Sequence, residues 1–323
     1  MKILAVDDDP IILELVKEFI GGLGDHTLIM ATSADAALEH IEKKQEVPFD
    51  CFFIDIQMPG FDGIELTSRV RKQEHLRDVP IIMLTAFADK SFVDAAFSAG
   101  ATDYVTKPFD AFDLRGRIAL IEKAVAAKRQ VPANTPRITQ APTLIEAIEL
   151  SDPFSIFGVK NVIEKTALEN YLMQLSRGAI FGSTTLGFAI RDIEAMHASF
   201  SPTDFRNMIA GVAKIVADCL GDAKFHMTYA GAGVFICVTD RRWSLNVEQI
   251  QDAVNFRLPQ LEMNADGDGS KRLYVSVGRP YRFVWKSGQD VLGTIDKAYK
   301  TAEQAAKTLT ASRDDFGLGN KIA

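Results

Sequence analysis

The first 129 residues alternate short apolar runs with longer amphipathic segments, and this alternation limits the folds open to the chain. The apolar runs are Lys2–Val6, His26–Ala31, Cys51–Asp55, Pro80–Thr85 and Asp103–Thr106. The segments between them repeat apolar residues at helical spacing over Pro10–Gly21, Ala34–Lys44, Gly63–Arg71, Asp89–Ala99 and Asp110–Arg129. Strand–helix alternation at this spacing predicts an α/β domain, in which a five-stranded parallel sheet is covered by helices on both faces. The strands barely alternate polar with apolar residues, which fits burial on both sides.

The composition of the whole chain excludes several classes of protein. Its 323 residues suffice for about two domains, and 47% hydrophobic with 24% charged residues excludes global disorder. The net charge of −7 gives no reason to expect nucleic acid as a partner. Apolar runs stay short of the ~18–20 residues that span a bilayer, so we expect no membrane contact. Cys51, Cys219 and Cys237 are widely spaced, which is typical of reduced thiols in a cytoplasmic protein.

A proline-containing stretch divides the chain into two domains. Pro132, Pro136 and Pro142 interrupt any helix and predict an extended linker. We therefore place a first domain at 1–129, a linker at 130–153, a second domain at 154–310 and a flexible polar tail at 311–323. The prolines also argue against one unbroken helix between the domains, so the domains either dock directly or move independently.

The second domain shows a different order of elements. Helices are predicted at Val162–Leu175, Pro202–Leu220, Val247–Leu261 and Val291–Leu309, and strands at Thr185–Ile190, Phe225–Ala230, Val234–Thr239 and Leu273–Arg279. The two middle strands flank the small residues Gly231-Ala232-Gly233, which predicts a hairpin. The order β-α-β-β-α-β predicts an α+β sandwich of the split-βαβ type.

Charged and hydroxyl side chains follow four strands of the first predicted sheet. Asp7 and Asp8 follow the first strand, Asp55 and Thr85 end the third and fourth, and Lys107 follows the fifth. Since sites form at the carboxyl ends of parallel strands, these side chains should converge. Three carboxylates in one cleft repel each other unless a cation lies between them, and hard oxygen ligands suit Mg²⁺. An aspartate there can attack a phosphoryl donor while the lysine and threonine bind phosphoryl oxygens, which predicts an aspartyl-phosphate site.

The motifs around these residues resemble those of a known family. They are Val6-Asp7-Asp8-Asp9-Pro10, Asp55-Ile56-Gln57-Met58-Pro59-Gly60-Phe61-Asp62-Gly63, Leu84-Thr85-Ala86 and Tyr104-Val105-Thr106-Lys107-Pro108-Phe109. Residues 1 to about 125 resemble the receiver domain of two-component response regulators, which implies a flavodoxin-like fold. The resemblance also implies that Asp55 accepts a phosphoryl group from a sensor histidine kinase or phosphotransfer protein. Asp8, Asp55 and the backbone carbonyl of Gln57 would hold Mg²⁺, with Asp7 assisting.

The same resemblance implies a switch and an output surface. Thr85 and Tyr104 would be the switch pair, the hydroxyl moving to the phosphate and the ring turning inward. Tyr104 has a second interpretation, because a buried aromatic residue with a purely structural role is common in strands. Residues 89–129 would form the output surface, and such surfaces often dimerise in this family.

The second domain resembles the GGDEF domain of diguanylate cyclases. The resemblance lies in Thr166-Ala167-Leu168-Glu169-Asn170, Tyr229-Ala230-Gly231-Ala232-Gly233-Val234, Tyr274-Val275-Ser276-Val277-Gly278 and Ile295-Asp296-Lys297-Ala298-Tyr299-Lys300-Thr301-Ala302. It implies a ferredoxin-like, cyclase-like sandwich. The carboxylates that hold metal in the cyclases are replaced by Ala189, Arg191, Ala232 and Gly233, so the two-metal route is closed. We therefore expect a catalytically inactive domain that binds an unknown downstream protein or dimerises.

Three alternatives stay open from the sequence. In the first, the second domain retains binding of GTP or cyclic di-GMP, or weak cyclase activity. In the second, it is an unrelated α+β sandwich whose small residues merely make a tight hairpin. A DNA-binding regulator is the third, disfavoured by the acidic charge and by the lack of a helix-turn-helix pattern.

Overall fold

The computed structural model describes residues 1–22, 24–43, 48–86, 89–109, 111–130, 149–175, 180–240, 246–261, 272–283 and 288–318. The chain forms two compact units, Met1–Pro142 and Thr143–Ala323. Most of the predicted linker, residues 131–148, lies outside the described residues, as do residues 319–323 of the predicted tail.

The first unit is a parallel sheet with a helix after each strand. The strands are β1 (Lys2–Val6), β2 (Thr27–Ala31), β3 (Cys51–Asp55), β4 (Ile81–Thr85) and β5 (Asp103–Thr106). The helices are α1 (Pro10–Gly21), α2 (Ala34–Glu42), α3 (Gly63–Lys72), α4 (Lys90–Ala99) and α5 (Ala111–Gln130), with a short 3₁₀ helix at Glu74–Leu76. The sheet order is β2-β1-β3-β4-β5, and all pairings are parallel. The predicted five-stranded, flavodoxin-like sheet is confirmed.

Polar side chains start three of these helices directly after a loop. The backbone N–H of Ile11 donates to Asp9 Oδ1 at 2.8 Å, which caps α1. Ser33 caps α2 and Asp62 caps α3 in the same way. The caps satisfy backbone N–H groups that have no partner inside the helix. They fix where the chain leaves the sheet, and so hold the loops at its carboxyl edge.

The second unit is built on an antiparallel sheet. Its strands are β6 (Thr184–Ile190), β7 (Phe225–Tyr229), β8 (Val234–Thr239), β9 (Val275–Val277) and β10 (Tyr281–Arg282). Its helices are α6 (Lys165–Gln174), α7 (Ile193–His197), α8 (Pro202–Leu220), α9 (Val247–Arg257) and α10 (Gly288–Leu318), with a 3₁₀ turn at Leu258–Gln260. β8 lies between β7 and β6, and both β9 and β10 pair with β6.

Alternate residues of β6 face different layers of this unit. Leu186 and Phe188 are fully buried in the core cluster that also contains Val212 of α8. On the opposite face, a Cβ added to Gly187 would lie 2.6 Å from Ala302 Cβ of α10. The glycine therefore lets α10 approach the sheet closely, and the sheet is covered on both faces.

Two elements and several boundaries of the second unit differ from the sequence predictions, among them α6, which begins at Lys165, and α9, which ends at Arg257. α7 and β10 were not predicted, because five and two residues are too short to show a period. The late strand predicted at Leu273–Arg279 is shorter, at Val275–Val277. The final helix continues past Leu309 to Leu318, so the predicted tail is helical over part of its length. No glycine or proline interrupts the chain between residues 310 and 316, which permits this extension.

Among the described residues, no helix combines the length and the apolarity needed to cross a bilayer.

Candidate phosphoacceptor site

The structure brings three carboxylates together at the carboxyl ends of β1 and β3. Asp7 and Asp55 are buried, with 1% and 5% of their surface exposed, and Asp8 is exposed. One oxygen from each of the three carboxylates can be chosen so that all lie within 4.8 Å of one another. The sheet order explains this proximity, because β1 and β3 are neighbours although about 48 residues separate them in sequence.

A single cation compensates the two buried carboxylates. Lys107, which follows β5, places its Nζ 2.6 Å from Asp7 Oδ2 and 2.8 Å from Asp55 Oδ1. The backbone N–H of Lys107 donates to the carbonyl of Thr85 at 2.6 Å, so the loop after β5 is tied to the end of β4. One ammonium among three carboxylates leaves the cleft with an excess of negative charge.

Burial and charge act in opposite directions on the acid–base properties of this pair. Burial raises the pKa of Asp55; the hydrogen bond and charge of Lys107 oppose that shift, and Asp7 adds to it. Burial acts to lower the pKa of Lys107, but its hydrogen bonds to Asp55 and Asp7 outweigh burial, so the pKa is raised. Lys107 is therefore held as an ammonium, and its hydrogen bond and charge oppose the rise that burial causes in the pKa of Asp55.

The donor set fits a small hard cation. Three carboxylates supply oxygen ligands, and the negative charge that Lys107 leaves uncompensated favours a divalent cation. The backbone N–H of Gln57 donates to the Asp55 carboxylate, which places this exposed residue beside the cluster. The carbonyl of Gln57 as a ligand remains a prediction.

Gly63 is part of the site, and the sequence analysis gave it only as the last residue of a motif, without a role. A Cβ at this position would lie 1.9 Å from the Asp55 carbonyl oxygen and 2.8 Å from Ile54 Cγ2. Only a glycine lets the first turn of α3 pack against the end of β3. The available signal was a glycine directly after Asp62, the capping residue of that helix.

Thr85 and Tyr104 lie together beneath this cluster. Thr85 is fully buried, Tyr104 is 1% exposed, and their side chains share a hydrogen bond. Burial raises the pKa of Tyr104 to about 12, with the hydrogen bond to Thr85 opposing that shift. The inward position of the ring agrees with both interpretations of Tyr104, as switch residue and as structural residue.

The four positions that the sequence aligns with cyclase carboxylates also meet in space, around the end of β6. Ala189 pairs with Val234 of β8, and the backbone N–H of Ile190 donates to the carbonyl of Gly233 at 3.0 Å. The Nε of Arg191 donates to Ser276 Oγ at 2.8 Å.

Packing closes the tip of this hairpin. A Cβ at Gly233 would lie 2.6 Å from Ile193 Cγ1 of α7, and Gly231, Ala232 and Gly233 all have positive φ. Within the part of the chain that the structure describes, the Asp7, Asp8 and Asp55 cluster is the one group of three or more potential metal ligands. The second unit therefore offers small residues and a guanidinium at the place where the cyclase resemblance requires carboxylates.

Comparisons with known proteins assign the first unit. A parallel sheet with acidic residues and a lysine at its carboxyl edge is typical of a phosphoacceptor domain. The family described as response regulator receiver domain matches residues 3–119. The chain is 35% identical over 118 residues to the chemotaxis protein CheY-3 of Vibrio cholerae, covering 36% of this chain and 88% of that protein. The chain therefore belongs to the response regulator receiver family.

Other relatives share only this part. The transcriptional regulatory protein CrdR of Helicobacter pylori is 35% identical over 117 residues, which are 36% of this chain and 53% of CrdR. The signal transduction histidine-protein kinase BarA of Escherichia coli K12 is 31% identical over 110 residues, 34% of this chain and 12% of BarA. The chain thus spans about half the length of CrdR and a small part of BarA. The family match ends at residue 119 and assigns no family to the second unit.

Proposed function

We propose that this protein is a response regulator of a two-component phosphorelay that is phosphorylated on Asp55. The observation that carries the proposal is the contact of one lysine, Lys107, with two buried carboxylates at the carboxyl edge of the sheet. The donor would be a sensor histidine kinase or a phosphotransfer protein, as is typical of receiver domains. Membership of the receiver family supports this assignment.

The chemistry follows from the charges in the cleft. An oxygen of the Asp55 carboxylate attacks the phosphorus of a phosphohistidine; a P–O bond forms, the P–N bond breaks, and the imidazole leaves with the electron pair. Lys107 stays charged and pairs with a phosphoryl oxygen as the carboxylate loses its own negative charge. Mg²⁺ bound by Asp7, Asp8, Asp55 and the Gln57 carbonyl would supply further positive charge against the phosphoryl oxygens.

The switch that reads this event would be the Thr85–Tyr104 pair. Phosphorylation adds about two negative charges and three acceptor oxygens next to Thr85. A new hydrogen bond from its hydroxyl to a phosphoryl oxygen would rearrange its present hydrogen bond with Tyr104. The buried ring then repacks, and the change passes to α4 and β5, which flank these two residues.

The second unit would act as a catalytically inactive GGDEF-like output domain. Its strands follow the order β9/β10-β6-β8-β7, which agrees with a ferredoxin-like sandwich. Ala189, Arg191, Ala232 and Gly233 meet where the resemblance expects a metal site, and none of them carries a carboxylate. The unit would therefore act through protein interaction or dimerisation, and not as a cyclase.

The homodimer surface would lie within residues 89–129. Phe112 and Leu120 of α5 are 84% and 67% exposed, which is unusual for large apolar side chains on one helix. We expect Phe112→Asp with Leu120→Asp to abolish dimerisation of the beryllofluoride-bound protein in light-scattering chromatography. Ile11→Asp, at a residue 74% exposed on α1, is the matched control and should leave the dimer intact.

Phosphorylation is tested with a radiolabelled small phosphodonor and Mg²⁺. The parent protein should incorporate acid-labile, base-labile phosphate, as expected for an acyl phosphate, and Asp55→Ala should incorporate none. Asp94→Ala, which removes a carboxylate paired with Lys90 at 2.8 Å on α4, is the control and should label normally. Equal labelling of Asp55→Ala and parent would refute the assignment.

Residual nucleotide binding by the second unit is tested by calorimetry with GTP and cyclic di-GMP. We expect no heat with either nucleotide in the presence of Mg²⁺. Saturable heat, or cyclic di-GMP formed from GTP, would show that the second unit binds nucleotide, and the interpretation as an inactive output domain would be wrong.

A further inference from the structure

A segment at the start of the second unit lies across the tip of the β7–β8 hairpin. The backbone N–H of Ala232 donates to the carbonyl of Leu150 at 2.7 Å. A Cβ at Gly231 would lie 2.1 Å from the carbonyl oxygen of Ser151, so the two backbones are in contact. We call residues 150–154 the strap. No sequence motif predicts this contact, which joins residues about 80 positions apart.

Two apolar anchors hold the strap. The ring of Phe154 lies 4.6 Å from the ring of Tyr229, and both Leu150 and Phe154 are only partly buried against the core. Residues 151–153 between them are exposed. Ile156, just downstream, is 7% exposed and belongs to the core itself. The guanidinium of Arg206 also lies 4.8 Å from the Phe154 ring. The strap is thus held by partly buried contacts outside the core, so it can detach while the core stays intact.

One anchor of the strap, Phe154, packs against a tyrosine that also stabilises the hairpin. The hydroxyl of Tyr229 accepts a hydrogen bond from the backbone N–H of Gly233 at 3.2 Å, and Phe154 packs against that same tyrosine. Ala232 has a φ of 49°, a left-handed conformation that is unfavourable for alanine. Its hydrogen bond to Leu150 therefore stabilises a strained tip, and loss of the strap frees that tip to change conformation.

We propose that the strap is a latch, meaning a releasable segment that holds the hairpin tip in its present conformation. Through this segment, the phosphorylation state of the first unit would change the conformation of the second. The strap lies at the N-terminal end of the described part of the second unit, so a force transmitted along the chain from the first unit would act on the bond between Leu150 and the hairpin before it acts on the core. When the latch is closed, the Ala232 N–H is bonded within the chain. When it opens, the hairpin tip offers its backbone groups to a partner. The part of this inference that concerns phosphorylation rests on the proposed function.

Hydrogen exchange of the Ala232 and Gly233 amides in the full chain tests the latch. We expect Phe154→Ala to raise the exchange rate at Ala232 at least tenfold, with the sheet amides of β8 unchanged. Phe256→Ala makes the same truncation at a side chain that is 80% exposed on α9, and should leave the hairpin unchanged.

A second pair of variants acts on the backbone. Gly231→Ala places a methyl group against Ser151 and should also raise exchange at Ala232. Gly221→Ala, at another positive φ with nothing within 4 Å of the added Cβ, is its control. Beryllofluoride with Mg²⁺ should raise exchange at Ala232 in the parent chain and have no effect in Asp55→Ala.

The outcomes separate the latch from the proposed function. Unchanged exchange at Ala232 in Phe154→Ala would show that the strap does not hold the hairpin, and would overturn the latch. If Phe154→Ala acts, Asp55 takes up phosphate and beryllofluoride has no effect on the hairpin, then coupling through the strap is wrong and the response regulator assignment stands. If Asp55 takes up no phosphate, the proposed function and its coupling to the strap both fail.

Discussion

The two sheets differ in how their functional ends are stabilised. At the carboxyl edge of the first sheet, Lys107 lies within 2.8 Å of two buried carboxylates, and a third is near. At the hairpin of the second sheet, Gly233 packs against Ile193 and Ala232 bonds to the Leu150 carbonyl, with no acidic residue at the tip. The first site stores uncompensated charge, and the second is closed by van der Waals contact and backbone hydrogen bonds.

This difference decides what each site can respond to. A crowded anionic cleft changes its free energy strongly when a cation or a phosphoryl group enters, because buried charges interact strongly. A tip made of small residues has no charge to offer. Under the proposed function the first unit receives a chemical signal, and under the proposed latch the second unit receives a mechanical one.

The largest expected effect comes from removing the cation of the first site. Lys107→Met leaves Asp7 and Asp55 buried without their partner, and should lower the free energy of unfolding of the first unit by about 3 kcal/mol at pH 7. Burial already raises the pKa of Asp55, and losing Lys107 raises it further. The folded variant binds protons more tightly than the unfolded chain, so its deficit should shrink as the pH falls toward 4.

Urea unfolding at several pH values, followed by far-ultraviolet circular dichroism, measures this deficit. Lys17→Met is the control, because Lys17 pairs with Glu14 at an exposed site and should change stability by less than about 0.5 kcal/mol. Millimolar Mg²⁺ should recover part of the loss in Lys107→Met. A deficit that is equal at pH 4 and 7 would contradict the electrostatic account of the site.

A matched pair of glycines compares steric closeness in the two sheets. Gly63→Ala meets the Asp55 carbonyl oxygen at 1.9 Å, and Gly187→Ala meets Ala302 Cβ at 2.6 Å and the Ala298 carbonyl oxygen at 2.7 Å. Because backbone atoms block both positions, each substitution should lower the free energy of unfolding of its own unit by about 3 kcal/mol. Only Gly63→Ala should also slow phosphorylation.

Hydrogen exchange allows these effects to be assigned to a unit, because the amides of β1–β5 and those of β6–β10 are measured separately. Gly116→Ala, on the exposed side of α5 with nothing within 4 Å, is the control and should stabilise by up to about 1 kcal/mol. Faster exchange of the β6–β10 amides in Gly63→Ala would show that the two units do not unfold separately.

One buried tyrosine in each unit predicts loss of stability in alkali. Burial raises the pKa of Tyr104 and of Tyr229 to about 12. An unfolded tyrosine ionises near pH 10, so between pH 10 and 12 the folded state binds more protons and stability falls as the pH rises. Ionisation of each tyrosine should lower the free energy of unfolding of its unit by about 2 kcal/mol across this range. Tyr104→Phe and Tyr229→Phe should each reduce the slope of stability against pH in one unit only.

The smallest expected effect concerns the strained hairpin tip. Ala232→Gly relieves the backbone strain of a φ of 49° and should raise the free energy of unfolding of the second unit by about 0.5–1 kcal/mol. The gain should be measurable as slower hydrogen exchange of the buried amides of β6 and β8. Ala230→Gly, at a position without positive φ, should give no gain, and a gain there would point to a general effect of glycine in this loop.

Sequence reasoning placed the elements of the first unit well. β1, β3, β5 and α1 begin and end where the apolar runs and the helical spacing predict. It placed α8 equally well, because Pro202 marks the first turn and the apolar period is regular. It missed α7 and β10, whose few residues show no period, and it missed the role of Gly63, which depends on a contact with β3.

The sequence by itself determined the type of each sheet, and it placed three acids and one lysine at strand ends. These features follow from it because strand and helix periods and local capping are properties of neighbouring residues. Only the tertiary structure decided that Lys107 bridges Asp7 to Asp55 and that Leu150 bonds Ala232. These contacts join residues about 50 to 100 positions apart, and their energy depends on distance and burial, which a linear pattern does not specify.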